Sequence, residues 1–201
     1  MVDIMKRLLP LIALLLICTA AEAQLFKKKE RSVEPQYSAG TIPVANGKVT
    51  FEEKIQAEGL TAAQVEERIS NWIAARFVEP TIISVKKFDS DQPATTVIKG
   101  EEYIVFKDKF FVLSRARIYY YLTLTASDGQ CTFNMSRITY WYDDEEEKGG
   151  LKMKAEEWIT DEYAFNKKGG LKKFEGKFRR KTIELKDLLI EDLKKNLTGN
   201  K

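Results

Sequence analysis

The feature that most constrains this chain is a pair of β-rich runs on either side of Asp128-Gly129, between Lys109 and Tyr142. An Asp-Gly pair between such runs favours a tight antiparallel hairpin, because glycine accepts the positive φ that the turn needs. In the first run most even positions are apolar, whereas most odd positions are polar or aromatic. The even set is Val112, Ala116, Ile118, Tyr120, Leu122 and Leu124, and the odd set is Arg115, Arg117, Tyr119, Tyr121, Thr123 and Thr125. Side chains alternate across a strand, so this strand predicts one face for a core and one for solvent or a partner.

The second run changes its phase part of the way along. Its apolar residues fall first on odd positions and then on even ones: Cys131, Phe133 and Met135, followed by Ile138, Tyr140 and Tyr142. One extra residue in the strand restores the alternation and bends the sheet. We therefore predict a β-bulge near Ser136-Arg137.

Helix and turn signals on both sides of the hairpin complete the pattern. Asn46-Gly47 predicts a small hairpin in front of the main sheet. A capping box from Thr61 to Gln64 predicts the start of a helix, which Pro80 would stop. The remaining predicted elements are strands at Thr81 to Asp89 and Thr95 to Phe106, and a leucine-rich helix from an N-cap at Thr182 to Gly199. The order strand, helix, four strands, helix predicts an α+β fold, an antiparallel sheet with helices packed on one face.

The first 23 residues have the pattern of a signal peptide. Lys6 and Arg7 precede an apolar run that is too short for the roughly 20 residues that cross a bilayer. Ala21-Glu22-Ala23 then offers a cleavage site. We predict an exported protein, periplasmic or associated with the outer envelope, with no transmembrane span in the mature chain. A lipidated Cys18 is the alternative, and N-terminal sequencing of the mature protein would reveal it as the first residue.

The mature chain divides into two parts. Residues 24–39 contain Lys27-Lys28-Lys29 and few apolar groups, which predicts a flexible leader. Residues 40–201 are predicted to form a single α+β domain, which is long enough to bury a sizeable core.

Composition removes several functional classes. The chain has no histidine, which excludes Ser-His-Asp and Cys-His nucleophile systems and histidine-ligated zinc. Only Cys131 remains in the mature chain, where a buried position in a strand is expected for it. The 33 basic and 30 acidic residues lack the basic excess of a nucleic-acid binder. The acidic run from Asp143 to Glu147 lacks the spacing of a calcium loop. We therefore expect no catalytic residue, metal, cofactor or nucleic-acid partner.

Three segments carry a resemblance to a known family: Thr41 to Phe51 (TIPVANGKVTF), Ala155 to Asp161 (AEEWITD) and Gly176 to Ile183 (GKFRRKTI). Together they resemble a domain-of-unknown-function family with a TBP-like fold, found mainly in exported proteins of Bacteroidetes. The resemblance runs from about Ala39 to the C-terminal helix and implies a strand, helix, four-strand, helix core. It implies no catalytic residue, and a shared fold does not imply the DNA binding of the fold's namesake.

The odd-numbered face of the first β-run is the candidate binding surface. Its tentative binding residues are Arg115, Arg117, Tyr119 and Tyr121. Tyrosine and arginine are the side chains that anchor interfaces, so we expect a binding domain that uses the open face of its sheet. The expected partner is an envelope protein, a glycan or a lipid. Two alternatives remain: residues 143–178 cover this face and make it core, or the protein carries a small ligand or lipid in a cavity between the sheet and the C-terminal helix.

Overall fold

The computed structural model describes residues 33–78, 82–88, 90–109, 112–143 and 149–199. The predicted signal peptide at residues 1–23, most of the predicted leader, Pro80 and most of the acidic run after Tyr142 lie outside these ranges. The elements in chain order are β1 Val44–Ala45, β2 Lys48–Gln56, α1 Ala62–Arg76, β3 Ile82–Phe88, β4 Thr95–Lys109, β5 Val112–Ser127, β6 Gln130–Tyr142, β7 Leu151–Lys154, α2 Asp161–Ala164 and α3 Glu175–Thr198. Short 3-10 turns occur at Pro35–Tyr37 and Ala155–Glu157.

In the described chain, seven strands form one antiparallel sheet in the order β1-β2-β6-β5-β4-β3, with β7 also paired to β6. The central hairpin is confirmed, since Ser127 pairs with Gln130 across Asp128-Gly129. The small hairpin is confirmed as well. Its loop residues Asn46 and Gly47 have φ values of 52° and 72°, as the predicted type of turn requires. The strand β7 was not predicted, because four residues are too few to show an alternating pattern.

The two longer helices pack on one face of this sheet, which confirms the predicted α+β layout. The helix α1 contacts β5, and α3 contacts β2, β4 and α1. The side chains that β5 and β6 turn toward the helices are almost inaccessible to solvent: Ile118, Tyr120, Leu122, Leu124, Cys131, Phe133, Met135, Ile138 and Tyr140. Burial of this apolar surface is the main driving force for the fold.

The phase change in β6 is a β-bulge at the predicted place. Tyr119 pairs with Thr139, whereas Tyr121 pairs with Ser136, so β6 carries one extra residue between the two pairs. Arg137 has a φ of 52°, and its side chain is exposed. The bulge keeps the apolar residues of both halves of β6 on the helix side.

One of the two predicted helix starts is confirmed, and the other is wrong. Both hydrogen bonds of the capping box are present, from Gln64 N to Thr61 Oγ1 and from Thr61 N to Gln64 Oε1. The predicted N-cap at Thr182 is wrong, because α3 already begins at Glu175. Thr182 is buried inside the helix, where its hydroxyl lies 2.7 Å from the hydroxyl of Tyr140 and donates to Phe178 O. Those two partners satisfy the hydroxyl without a helix end.

A buried arginine connects the segment around Tyr37 to the rest of the fold through hydrogen bonds. The guanidinium of Arg179 on α3 is inaccessible to solvent and forms an ion pair of 2.9 Å with Asp161. It donates hydrogen bonds to the backbone oxygens of Tyr37, Ser38 and Ile159. Tyr37 is itself buried, so the packed region includes residues that were predicted to belong to the flexible leader at 24–39.

A second buried polar group lies between the sheet and α1. The Tyr120 hydroxyl donates to Glu102, and Glu102 forms an ion pair of 3.0 Å with Arg76. Burial, reinforced by the charge of Glu102, raises the pKa of Tyr120 well above its ordinary value. Gly100 is required beside it, because a Cβ at that position would lie 2.6 Å from the tyrosine ring. These contacts give Tyr120, Glu102 and Arg76 a structural role in the core.

Candidate functional site

The four predicted binding residues share the sheet face opposite the helices. Arg115, Arg117, Tyr119 and Tyr121 follow one another at alternate positions of β5, and each side chain is half-buried. The alternation that turns Ile118 and Tyr120 into the core places these four on the other side. We refer to this side of the sheet as the open face.

At one end of this row, arginines lie over aromatic rings. The Arg115 guanidinium is 3.9 Å from the centre of the Tyr103 ring on β4. Arg117 lies 5.4 Å from the ring centre of Trp141 on β6 and forms an ion pair of 3.2 Å with Glu101. A guanidinium in such positions is attracted by the negative face of the ring.

At the other end of the row, the open face forms a groove of about 600 Å³ that is lined by β4, β5, β6, β7 and the turn that follows β7. We call it the open-face groove. Its lining is mostly aromatic and basic: Lys99, Tyr119, Tyr121, Arg137, Thr139, Tyr140, Trp141, Lys152, Met153, Lys154 and Glu157. Two of the four predicted binding residues, Tyr119 and Tyr121, therefore line the groove, and Arg115 and Arg117 lie beside it.

Each aromatic ring that the open-face groove presents has a cation near it. The distances to the ring centres are 5.5 Å for Lys99 over Tyr119, 5.1 Å for Arg137 over Tyr121 and 4.6 Å for Lys152 over Trp141. The β-bulge produces one of these pairs, because the extra residue in β6 is Arg137 itself. Tyr121 also stacks on Phe88 of β3, with ring centres 5.8 Å apart.

The groove carries a net positive charge. Its lining includes four cations, Lys99, Arg137, Lys152 and Lys154, and one carboxylate, Glu157. Lys154 and Glu157 are 3.5 Å apart, but both are 62% exposed, so their pairing adds little stability. Burial, followed by the nearby charge of Glu101, raises the pKa of Tyr119 above its ordinary value.

One alternative predicts that residues 143–178 cover the row of Arg115, Arg117, Tyr119 and Tyr121. The described part of this segment, residues 149–178, does not bury the row. Its first part is β7, which lies in the sheet beside β6 and forms one wall of the groove. Its later part packs on the helix side, where Trp158 contacts Phe174 and Phe178 edge to face. Phe178 in turn contacts Tyr140, whose side chain points into the core.

Several residues that line the open-face groove were not predicted from the sequence. Trp141, Lys99 and Lys152 lie on three different strands, so only the strand register brings them next to Tyr119 and Tyr121. One signal was available for Trp141. Once the bulge reverses the phase of β6, odd positions after Ser136 fall on the open face.

A second groove, of about 650 Å³, lies between α1 and the end of α3. Its two arginines already have partners within the chain. Arg68 donates to the last backbone oxygens of α3, and Arg76 pairs with Glu102 and Asp192. The open-face groove is the better candidate, because its cations lie near half-buried aromatic rings that a partner can also contact.

Other kinds of site find little support in the described chain. Within it, no group of three or more Cys, Asp or Glu side chains is arranged to hold a metal ion. Burial raises the pKa of Cys131 to about 12, so this thiol is a core residue and a poor nucleophile. None of the described helices combines the length and the apolar character needed to cross a membrane.

Comparison with known proteins agrees with this fold. Residues 51–141 match the family model of a domain of unknown function, DUF4468, with a TBP-like fold. A crystal structure of a DUF4468 family protein from Bacteroides ovatus is 32% identical, with a TM-score of 0.73, over 83% of this chain and 96% of that chain. A TBP-like protein from Parabacteroides distasonis shares the fold at 21% identity, with a TM-score of 0.61, over 79% of this chain and 97% of that chain.

A search of curated proteins returned no match. The two solved structures come from Bacteroidetes, as the resemblance of the three sequence segments implied, and the TBP-like fold is confirmed. The chain therefore belongs to the DUF4468 family.

Proposed function

We propose that this protein is a non-catalytic binding domain that holds an anionic partner on the open face of its sheet. One observation carries this proposal. The open-face groove brings three aromatic rings and four cations together on a face that the helices leave uncovered. The stability of the fold does not require this combination, because a half-buried aromatic ring removes less apolar surface from water than a fully buried ring does.

The chemistry of the groove supports a partner with negative charge. Tyrosine, tryptophan and arginine are enriched where interfaces gain most of their binding energy. Lys152 and Arg137 have exposed side chains, so a partner can reach them. Water weakens the attraction between two charges less when a groove partly shields the ion pair. The two arginines of the row, Arg115 and Arg117, extend the positive surface beyond the groove along β5.

The alternative of a carrier with an internal cavity gains no support from the packing. Between the sheet and α3, large side chains fill the described interior, with Phe133, Phe178 and Leu189 all inaccessible to solvent. The depression beside β2 and α3 has about 310 Å³ and a largely charged lining, which suits neither a lipid nor an apolar ligand.

The proposal predicts that Tyr119→Ala together with Tyr121→Ala abolishes retention of the native partner. Both rings are half-buried, so we expect the double variant to lose about 1–3 kcal/mol of stability and to remain folded. The measurement is the protein, sugar and lipid content that immobilised protein retains from a solubilised envelope extract of the native host. Thermal unfolding of the same samples shows whether the variant is folded.

The matched control is Tyr163→Ala on α2, which removes a tyrosine that is 38% exposed and lies outside the open face. It should retain the same material as the wild type. A double variant that melts as a folded protein and still retains that material in full would place the binding surface elsewhere.

A further inference from the structure

The positive charges of the open face form a track. Along β5, Arg115 and Arg117 stand two residues apart, which separates successive outward side chains by about 7 Å. Across the sheet, the Arg117 position pairs with Trp141, and Trp141 pairs with Lys152. A single small anion needs one cluster of donors. Cations spread over β4, β5, β6 and β7 suit an extended ligand that carries several negative charges.

The same surface also contains hydrogen-bond acceptors. Glu157 lines the open-face groove, and Glu101 lies beside it on β4, where it pairs with Arg117. The hydroxyls of Thr139 and Tyr119 belong to the lining as well. Carboxylates repel a phosphodiester backbone, but they accept hydrogen bonds from hydroxyl groups. The surface therefore fits a ligand that offers both acidic groups and hydroxyl donors.

The aromatic rings add an apolar component to this pattern. Lys99, Arg137 and Lys152 lie 4.6–5.5 Å from the centres of the three rings in the groove. An acidic ligand that binds these cations draws them away from the rings and frees the ring faces. The C–H face of a sugar ring can then pack on an aromatic face and bury apolar area on both sides.

We infer that the ligand of the open-face groove is an acidic oligosaccharide, a sugar chain with carboxylate or sulfate groups. This inference rests on the proposed binding function. A peptide fits less well, because the backbone groups of β5 and β6 are paired within the sheet and leave a peptide's own amides unsatisfied. Single-stranded DNA has no hydroxyl donors along its chain for the carboxylates of Glu101 and Glu157, and a bilayer surface requires apolar side chains that protrude from the protein.

The test is a titration of the purified mature protein, residues 24–201, by isothermal calorimetry with five probes. Oligogalacturonate carries carboxylates, a heparin oligosaccharide carries sulfates, and a maltooligosaccharide is neutral. Polyglutamate and oligothymidylate are acidic chains of other classes. We expect oligogalacturonate or the heparin oligosaccharide to bind at least about tenfold more tightly than the other three probes, the loss that follows when charge-assisted hydrogen bonds are missing.

The variants locate the site. Lys99→Gln with Lys152→Gln should weaken the acidic sugar at least about tenfold, since each lysine removes one charge-assisted contact. Tyr119→Ala should weaken binding more than Tyr119→Phe, because both changes remove the hydroxyl but only alanine removes the ring. The control is Lys54→Gln, which removes an exposed charge on β2, outside the groove lining, and should change nothing. Thermal melts confirm that each variant is folded.

The possible results distinguish a failure of this inference from a failure of the proposed binding function. Equal binding of the neutral sugar, or equal binding of polyglutamate or oligothymidylate, overturns the acidic oligosaccharide. If no sugar binds while the native extract still yields material that depends on Tyr119 and Tyr121, the inference falls and the open-face binding function stands. If the acidic sugars bind and the lysine and tyrosine variants leave their affinity unchanged, the groove is not the site and the inference falls.

Discussion

Arg179→Leu is expected to lower the free energy of unfolding by about 3–5 kcal/mol, because it removes the buried guanidinium at the centre of a charged hydrogen-bond network. The backbone oxygens of Tyr37, Ser38 and Ile159 would each lose a donor. Asp161 would lose its ion pair but is 44% exposed and can be hydrated instead. Chemical denaturation measures the loss, and amide hydrogen exchange should become faster in the segment around Tyr37.

The matched control for this change is Lys181→Leu on the same helix. Lys181 is 37% exposed and pairs only with Glu184 among its described ion pairs, so its replacement should stay within about 0.5 kcal/mol of the wild type. If the two leucine variants had the same denaturation midpoint as the wild type, the N-terminal segment would not depend on Arg179.

Trp72→Ala is expected to cost about 3–5 kcal/mol, the range for truncation of a large aromatic side chain in a core. Trp72 lies on α1 beside the buried residues Val65 and Ile69 of the same helix, and it is only 3% exposed. Its ring meets Phe77 edge to face at 5.7 Å. The measurement is the midpoint of chemical denaturation.

Trp72→Phe separates the packing of this side chain from its polar group. Within the described chain the indole N–H of Trp72 has no hydrogen-bond partner, so phenylalanine loses volume but no hydrogen bond. We expect a cost of about 1–2 kcal/mol, well below that of alanine. An alanine variant as stable as the phenylalanine variant would show that the ring contributes little to the core.

The parts of the fold that follow from local patterns could be predicted from the sequence. The alternation of β5, the turn at Asp128-Gly129 and the capping box at Thr61 each involve residues close together in the chain. The bulge at Arg137 could be predicted because burial allows only one phase on each half of β6.

The parts that depend on distant contacts could not be predicted in this way. Thr182 has the residue type of an N-cap, but a hydroxyl on β6, Tyr140, is its partner inside the helix. Arg179 stands in a run of basic residues that is typical of a solvated helix face, and only tertiary contacts reveal that it is buried.

The candidate site shows the same division. The sequence of β5 alone identified Arg115, Arg117, Tyr119 and Tyr121 as one row, because they belong to a single strand. The cations and the tryptophan beside them come from β4, β6 and β7, and their positions depend on strand register. A search along one strand therefore finds the row of residues but not the groove.

A blocking experiment tests the central claim that the open face is the binding surface. Thr139→Cys places a thiol in the groove, and Leu188→Cys places one on α3, at a position that is 47% exposed and faces away from the sheet. The native Cys131 does not interfere at neutral pH, because burial raises its pKa to about 12 and shields it from reagent. Each thiol is coupled to a maleimide polymer.

The measurement is the amount of native partner that each labelled protein retains, relative to the same variant before labelling. The open-face account predicts that the label at position 139 abolishes retention and that the label at position 188 leaves it unchanged. Undiminished retention with the groove blocked, together with loss when the helix side is blocked, would contradict it.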